Sequence, residues 1–252
     1  MLPDFNLPPK RPTPSLLVAA MLLLLPSTIV AFAGGASPSP AALEESLGAF
    51  ADLRPDAPSP RHHQRAEIMF RLGRFEEAVA DYSVAARGGK PHDGDSCWER
   101  GLAQYYAGDY QGGAAQFARY HAVGATDIEN GLWHFLCLAE VEGVEKARGA
   151  MLDYTRMREA PFPALWALYR GEGAAGDVLS AAASGDTERD REVRQFYAHY
   201  YLGKYYGAVN DDDRARTHLA AALEHTLPYF MDACAREDAK RLEQTGELNG
   251  DE

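Results

Sequence analysis

The sequence predicts an all-α protein, a right-handed α-solenoid of about five helix hairpins, one degenerate, closed by a C-terminal capping helix. Three observations point there. Apolar residues make up 46% of the 252, Ala and Leu are abundant, and no run of alternating Val, Ile and Thr marks a strand. A helix–turn–helix pattern stands out from Cys97 to Val123 around Gly108-Asp109, and one such hairpin leaves an apolar face it cannot bury alone. The pattern then recurs at a fixed spacing. The residues that leave successive turns, Phe75, Tyr110, Val144 and Asp212, stand 35, 34 and 68 positions apart, the last being two periods.

In chain order, residues 1–33 read as a secretory signal peptide. Lys10 and Arg11 precede an apolar run from Leu16 to Leu25, extended by Ile29-Val30, and the segment ends in Ala31-Phe32-Ala33. The alternative is an uncleaved anchor, because about 18 apolar residues just reach across a bilayer. Residues 34–60 are expected to be a Gly/Ser/Pro linker with a short helix from Ala42 to Leu53. Its Leu43, Leu47, Phe50 and Leu53 share a face.

The hairpin domain is expected over 61–245. Its first unit pairs Arg61–Leu72 with Phe75–Ala86 about Gly73-Arg74. The second is the Cys97–Val123 stretch. The third runs from Gly131 to Val141, turns at Glu142-Gly143 and returns from Val144 to Met151. A shortened fourth fills the double period: Phe162–Gly171, a turn near Gly176-Asp177, then Val178–Ala183. The fifth joins Phe196–Ala208 to a helix through Arg214, Ala215, Leu219 and Ala222. A 34-residue period of helix–turn–helix units is the tetratricopeptide repeat. Small residues sit where paired helices cross: Ala66, Gly101 and Gly203 on the first helices, Ala78, Ala147 and Ala215 on the second. Gly113 takes that place in the second unit and weakens its helix by about 1 kcal/mol relative to Ala, so the stack is expected to be loosest there.

Tyr229–Leu242 reads as the cap, with Arg236, Glu237, Asp238, Lys240 and Arg241 giving it the solvated side a terminal unit needs. Residues 246–252 read as a disordered acidic tail. Cys97, Cys137 and Cys234 fall within helical patterns, form no C-x-x-C and read as buried thiols in preference to a disulfide framework. Asp211-Asp212-Asp213 lacks the spread ligands and Gly turn of a cation loop and reads as a helix N-cap. No H-E-x-x-H, G-x-S-x-G or phosphate-binding loop occurs, so no cofactor or metal is expected and an enzyme is the weaker class.

Three segments carry a finer resemblance: Arg100–Gly108 with Leu132–Glu140, Phe196–Tyr206, and the shortened unit between them. Together they resemble the NlpI-type tetratricopeptide proteins of the bacterial cell envelope. That resemblance covers Arg61 to Leu242. It implies a dimeric, non-catalytic adaptor that holds peptidoglycan hydrolases and a protease together. The chain departs from the pattern in lacking a lipid-attachment Cys, which argues against lipid anchoring and allows a soluble periplasmic protein once the signal is removed.

In such a stack the first helices line the concave face. The partner-binding candidates there are His63, Glu67, Phe70 and Arg71, then Trp98, Leu102, Tyr105 and Tyr106, then Leu132, Leu136 and Glu140, then Tyr197, Tyr200 and Lys204. Large aromatic rings with scattered charge are what interfaces use. The alternative is that Tyr105, Tyr106, Tyr200 and Tyr201 are core between units. The net charge is −12, or −13 with 23 basic and 36 acidic residues after signal removal. Such a surface repels nucleic acid and favours a neutral or basic protein partner. Two other functions stay open: a scaffold or chaperone-like module of another envelope or secretion complex, and a hydrolase in which His63, His134 and His199 converge with carboxylates.

Overall fold

A computed structural model describes residues 38–54, 56, 60–88, 94–124, 127–154, 157–225, 227 and 230–249. The expected signal peptide, part of the linker and residues 250–252 lie outside the described residues. Among the described residues the protein is all-helical: α1 (Pro40–Leu47), α2 (Pro60–Arg71), α3 (Phe75–Ala86), α4 (Trp98–Tyr106), α5 (Tyr110–Gly124), α6 (Ile128–Glu142), α7 (Val144–Gly149), α8 (Phe162–Tyr169), α9 (Ala175–Ala182), α10 (Glu188–Ala208), α11 (Asp212–Leu223) and α12 (Phe230–Asn249). No helix among these residues is long and apolar enough to cross a membrane.

Helices pack with their chain neighbours. α2 pairs with α3, α4 with α5, α6 with α7, α8 with α9 and α10 with α11. Each pair turns through one residue with positive φ: Gly73, Gly108, Gly143, Gly171 and Asn210. Four of these turns share a bond in which the next amide reaches back five residues: Arg74 to Met69, Asp109 to Gln104, Glu172 to Ala167 and Asp211 to Tyr206, at 2.8–2.9 Å. This is the Schellman end, and Gly is favoured there because the left-handed conformation crowds a Cβ. The fourth turn lies at Gly171, earlier than the expected Gly176-Asp177. Asp177 instead accepts from the Ala174 amide at 3.1 Å and starts α9.

The pairs close on small residues. Ala66, Ala78, Ala147 and Ala215 are fully buried. A Cβ on Gly101 would lie 2.7 Å from the Phe117 ring. Gly113 differs from expectation, because it is not a loose point. A Cβ there would meet Cys137 Sγ at 2.9 Å and the Gly101 carbonyl oxygen at 3.3 Å. Glycine costs helix propensity at Gly113 but permits α5 to contact α4 and α6 together.

Two other segments depart from the sequence reading. α10 begins eight residues before Phe196, started by Thr187, whose hydroxyl accepts from the Asp190 amide at 3.0 Å. α12 extends to Asn249, so the backbone is helical into the expected tail. No proline interrupts 244–249, and Gln244, Glu247 and Leu248 favour a helix while Thr245, Gly246 and Asn249 weaken it.

One core runs from Ala66 through Ala235. A smaller cluster of Leu43, Phe50 and Ile68 seats α1 and the 3-10 turn Gly48–Phe50. Cys97, Cys137 and Cys234 are all buried. Asp211 caps α11 by accepting from the Arg214 amide at 3.1 Å.

Candidate functional site

The residues expected to bind a partner sit on α2, α4, α6 and α10, and the structure joins many of them directly. The Phe70 ring meets Tyr106 at 5.4 Å between centroids. Tyr105 donates to Glu140 at 3.4 Å, and Lys204 donates to Tyr105 at 3.2 Å. The Tyr106 and Tyr200 hydroxyls lie 3.3 Å apart. Phe70, Leu102, Tyr105, Tyr106, Leu132, Leu136, Tyr197, Tyr200 and Lys204 are all buried. Tyr201 is buried with them, so all four tyrosines weighed as core are core.

What covers this face is the chain's own α12. Phe230 packs against Phe70 with ring centroids 4.5 Å apart and planes tilted by 41°, and it meets the Trp98 edge at 5.6 Å, with the Arg71 guanidinium 5.8 Å from its ring. One α-helical turn after Cys234, Asp238 reaches the middle of the face. Its Oδ2 accepts from Tyr106 at 2.8 Å and Tyr200 at 3.2 Å, and its Oδ1 accepts from Lys204 at 2.8 Å. The Lys204 ammonium also lies 4.4 Å from the Tyr105 ring and 5.2 Å from Trp133, a cation held by π faces as well as by a carboxylate. Arg241 then donates to the Tyr106 carbonyl at 2.8 Å. Burial pushes the Tyr105, Tyr106 and Tyr200 hydroxyls well above their ordinary range, so all three stay protonated donors at neutral pH.

Beside α12 the face keeps an opening. A cavity of about 340 Å³ is lined by Trp98, Leu102 and Tyr197 of the expected set, with Asn130, Trp133 and Phe230. Its polar wall is a group that the sequence reading missed. Glu129 accepts from the Tyr201 hydroxyl at 2.6 Å and pairs with Arg158. The Trp133 indole donates to the same hydroxyl at 3.0 Å. Arg158 lies 4.0 Å from the Phe162 ring centre and 5.3 Å from that of Tyr197. Burial raises the Glu129 carboxyl, and Arg158 opposes that rise. The cavity therefore offers aromatic walls with an acid, a guanidinium and an amide at one side, the chemistry that receives an amphipathic side chain. Glu129 precedes the expected start of its helix by two positions, and Arg158 lies in a non-helical stretch, so neither follows the period.

The remaining candidates lie apart from the cavity. Glu67 accepts from Arg71 at 3.0 Å. His63 Nε2 lies 3.2 Å from Glu99. His134 is buried, its Nδ1 has no hydrogen-bond partner, and burial, with His121 nearby, lowers its pKa to about 4. His199 faces His218, ring nitrogens 3.0 Å apart. The three histidines of the hydrolase alternative thus occupy three neighbourhoods. No family model matches the chain, and no curated protein matches it.

Proposed function

We propose that this chain is a tetratricopeptide-type α-solenoid that serves as a non-catalytic protein–protein adaptor in the bacterial cell envelope. The observation that carries the reading is the helix already seated across α2, α4 and α10. These helices grip α12 with Phe70, Tyr106, Tyr200 and Lys204, and they leave the Trp98–Tyr197 cavity open beside it. A face that accepts one amphipathic helix is suited to extended or helical segments of other proteins. The five glycine or asparagine turns at near-repeating positions support the repeat class. The resemblance to NlpI-type proteins supplies the expected setting, in which peptidoglycan hydrolases and a protease are brought together. The net charge of −12 favours a neutral or basic partner segment.

Affinity capture from an envelope fraction, read by mass spectrometry, tests the proposal. The wild-type chain is expected to enrich a peptidoglycan hydrolase or an envelope protease. Trp98→Ala and Arg158→Lys, both lining the cavity, are expected to lower that enrichment while their thermal melts stay near wild type, the lysine keeping a cation beside Glu129. Equal enrichment by all three proteins, or none by the wild type, contradicts it.

A further inference from the structure

His63 and Cys97 stand 34 positions apart, the spacing of successive turns, and consecutive hairpins bring them side by side. Cys97 takes the N-cap place of α4, and Glu99 lies in the first turn of that helix. His63 projects from α2. A ring nitrogen of His63, the Cys97 sulfur and a Glu99 carboxylate oxygen all fall within 4.8 Å of one another, with His63 Nε2 and Glu99 Oε1 at 3.2 Å. Two ligands of a tetrahedral zinc ion, each at about 2.0–2.2 Å, are themselves about 3.3 Å apart. The His–Glu span is close to that value, and the sulfur lies within 4.8 Å of the other two donor atoms, against the roughly 3.5 Å expected between a zinc-bound thiolate and its neighbouring ligand.

The donor set and its surroundings fit one class of ion. A thiolate, an imidazole and a carboxylate form a mixed set that suits zinc better than calcium or magnesium, which take oxygen ligands. Thiolate and carboxylate together balance a divalent charge. The His63 and Glu99 side chains each keep 13% exposure, which gives an ion a way in, whereas Cys97 is sealed.

A second observation points to the same spot. The Tyr82 hydroxyl is fully buried and has no hydrogen-bond partner. Its ring meets the His63 ring edge-on at 5.0 Å, and after burial the charge of Glu99 is the largest influence on its hydroxyl. A buried, unsatisfied phenol is costly unless something polar completes it. A water on a metal held by three protein ligands is such a group. We propose that His63, Cys97 and Glu99 bind one divalent cation of the zinc type, with the fourth coordination place left to water beside Tyr82. The ion ties α2 to α4, the first helices of two successive hairpins.

The test uses the full chain stripped of metal by a chelator and titrated with cobalt(II). One equivalent is expected to produce the thiolate-to-cobalt charge-transfer band and the intense visible bands of a four-coordinate ion, and zinc is expected to erase both. Cys97→Ser is expected to abolish the charge-transfer band, and Cys137→Ser to keep it. His63→Gln and Glu99→Gln are expected to weaken zinc binding by more than the roughly 10- to 100-fold that loss of an outer-shell partner costs. Metal-free melts of each variant, matched to the metal-free wild type, show that the fold is intact. Absence of the band in the wild type, its survival in Cys97→Ser, or wild-type zinc affinity in His63→Gln and Glu99→Gln overturns the proposal.

Discussion

Replacing Asp238 by Ala removes the acceptor for three donors at the centre of the α12 contact. Tyr106 and Tyr200 lose a carboxylate oxygen at 2.8 and 3.2 Å, and Lys204 loses its ion pair at 2.8 Å. The Lys204 and Asp238 side chains are 6% and 9% exposed, so water does not take the place of the lost partner. An unpaired ammonium at such a site costs about 3–5 kcal/mol. The π faces of Tyr105 and Trp133 remain and offset part of that, about 1–2 kcal/mol. The net loss is therefore expected near 1–4 kcal/mol, a large share of the roughly 5–15 kcal/mol that holds a domain. Urea unfolding followed by far-UV circular dichroism measures it, and hydrogen exchange locates it, with α12 amides losing protection first. Lys204→Met combined with Asp238→Leu removes both charges and is expected to recover stability to within about 1–2 kcal/mol of wild type. A loss under about 1 kcal/mol in Asp238→Ala, or an equal loss in the double variant, would refute the reasoning.

Two further predictions concern packing and pH. Gly113→Ala adds a methyl 2.9 Å from Cys137 Sγ. Overpacking of about 1–3 kcal/mol is expected to exceed the gain of about 1 kcal/mol in helix propensity, so a raised melting temperature would contradict the close crossing described here. His134 has a folded pKa lowered from 6.5 to about 4 by burial. The unfolded chain therefore binds the proton first as pH falls, and stability present above pH 6.5 is lost progressively toward pH 4. The full effect is about 3 kcal/mol for a shift of that size. His199 and His218 are lowered in the same direction, with burial the first cause in each. Urea midpoints between pH 7 and pH 4 check the slope, which His134→Gln should flatten; an unchanged slope in that variant would place the acid sensitivity elsewhere.

Much of the helical order was legible because its signals are local. Gly73, Gly108, Gly143 and Asn210 mark turns by conformation alone, and the apolar stripes on either side follow the helical period. The fourth turn was misplaced because Gly171, Gly173 and Gly176 all offer a break, and only the tertiary packing of α8 and α9 selects the first. The early start of α10 was hidden because residues 188–195 carry no continuous apolar stripe. The seat of α12 was illegible for a different reason. Asp238 stands in a charged run and reads as solvated, yet its carboxylate anchors the helix inside a ring of tyrosines. Glu129 and Arg158 meet across 29 positions with no periodicity to announce them. His63, Cys97 and Glu99 form no short motif, because their proximity comes from the stacking of two hairpins.

Residue-specific photocrosslinking from position 98 tests the central claim most directly. The photoreactive side chain replaces Trp98 at the edge of the cavity beside α12, in the chain expressed in bacterial cells. A discrete crosslink to a peptidoglycan hydrolase or an envelope protease is expected, absent when the same side chain is placed at the exposed Asp177 in α9. Crosslinks of equal strength from both positions, or none from position 98 above background, would contradict the adaptor face.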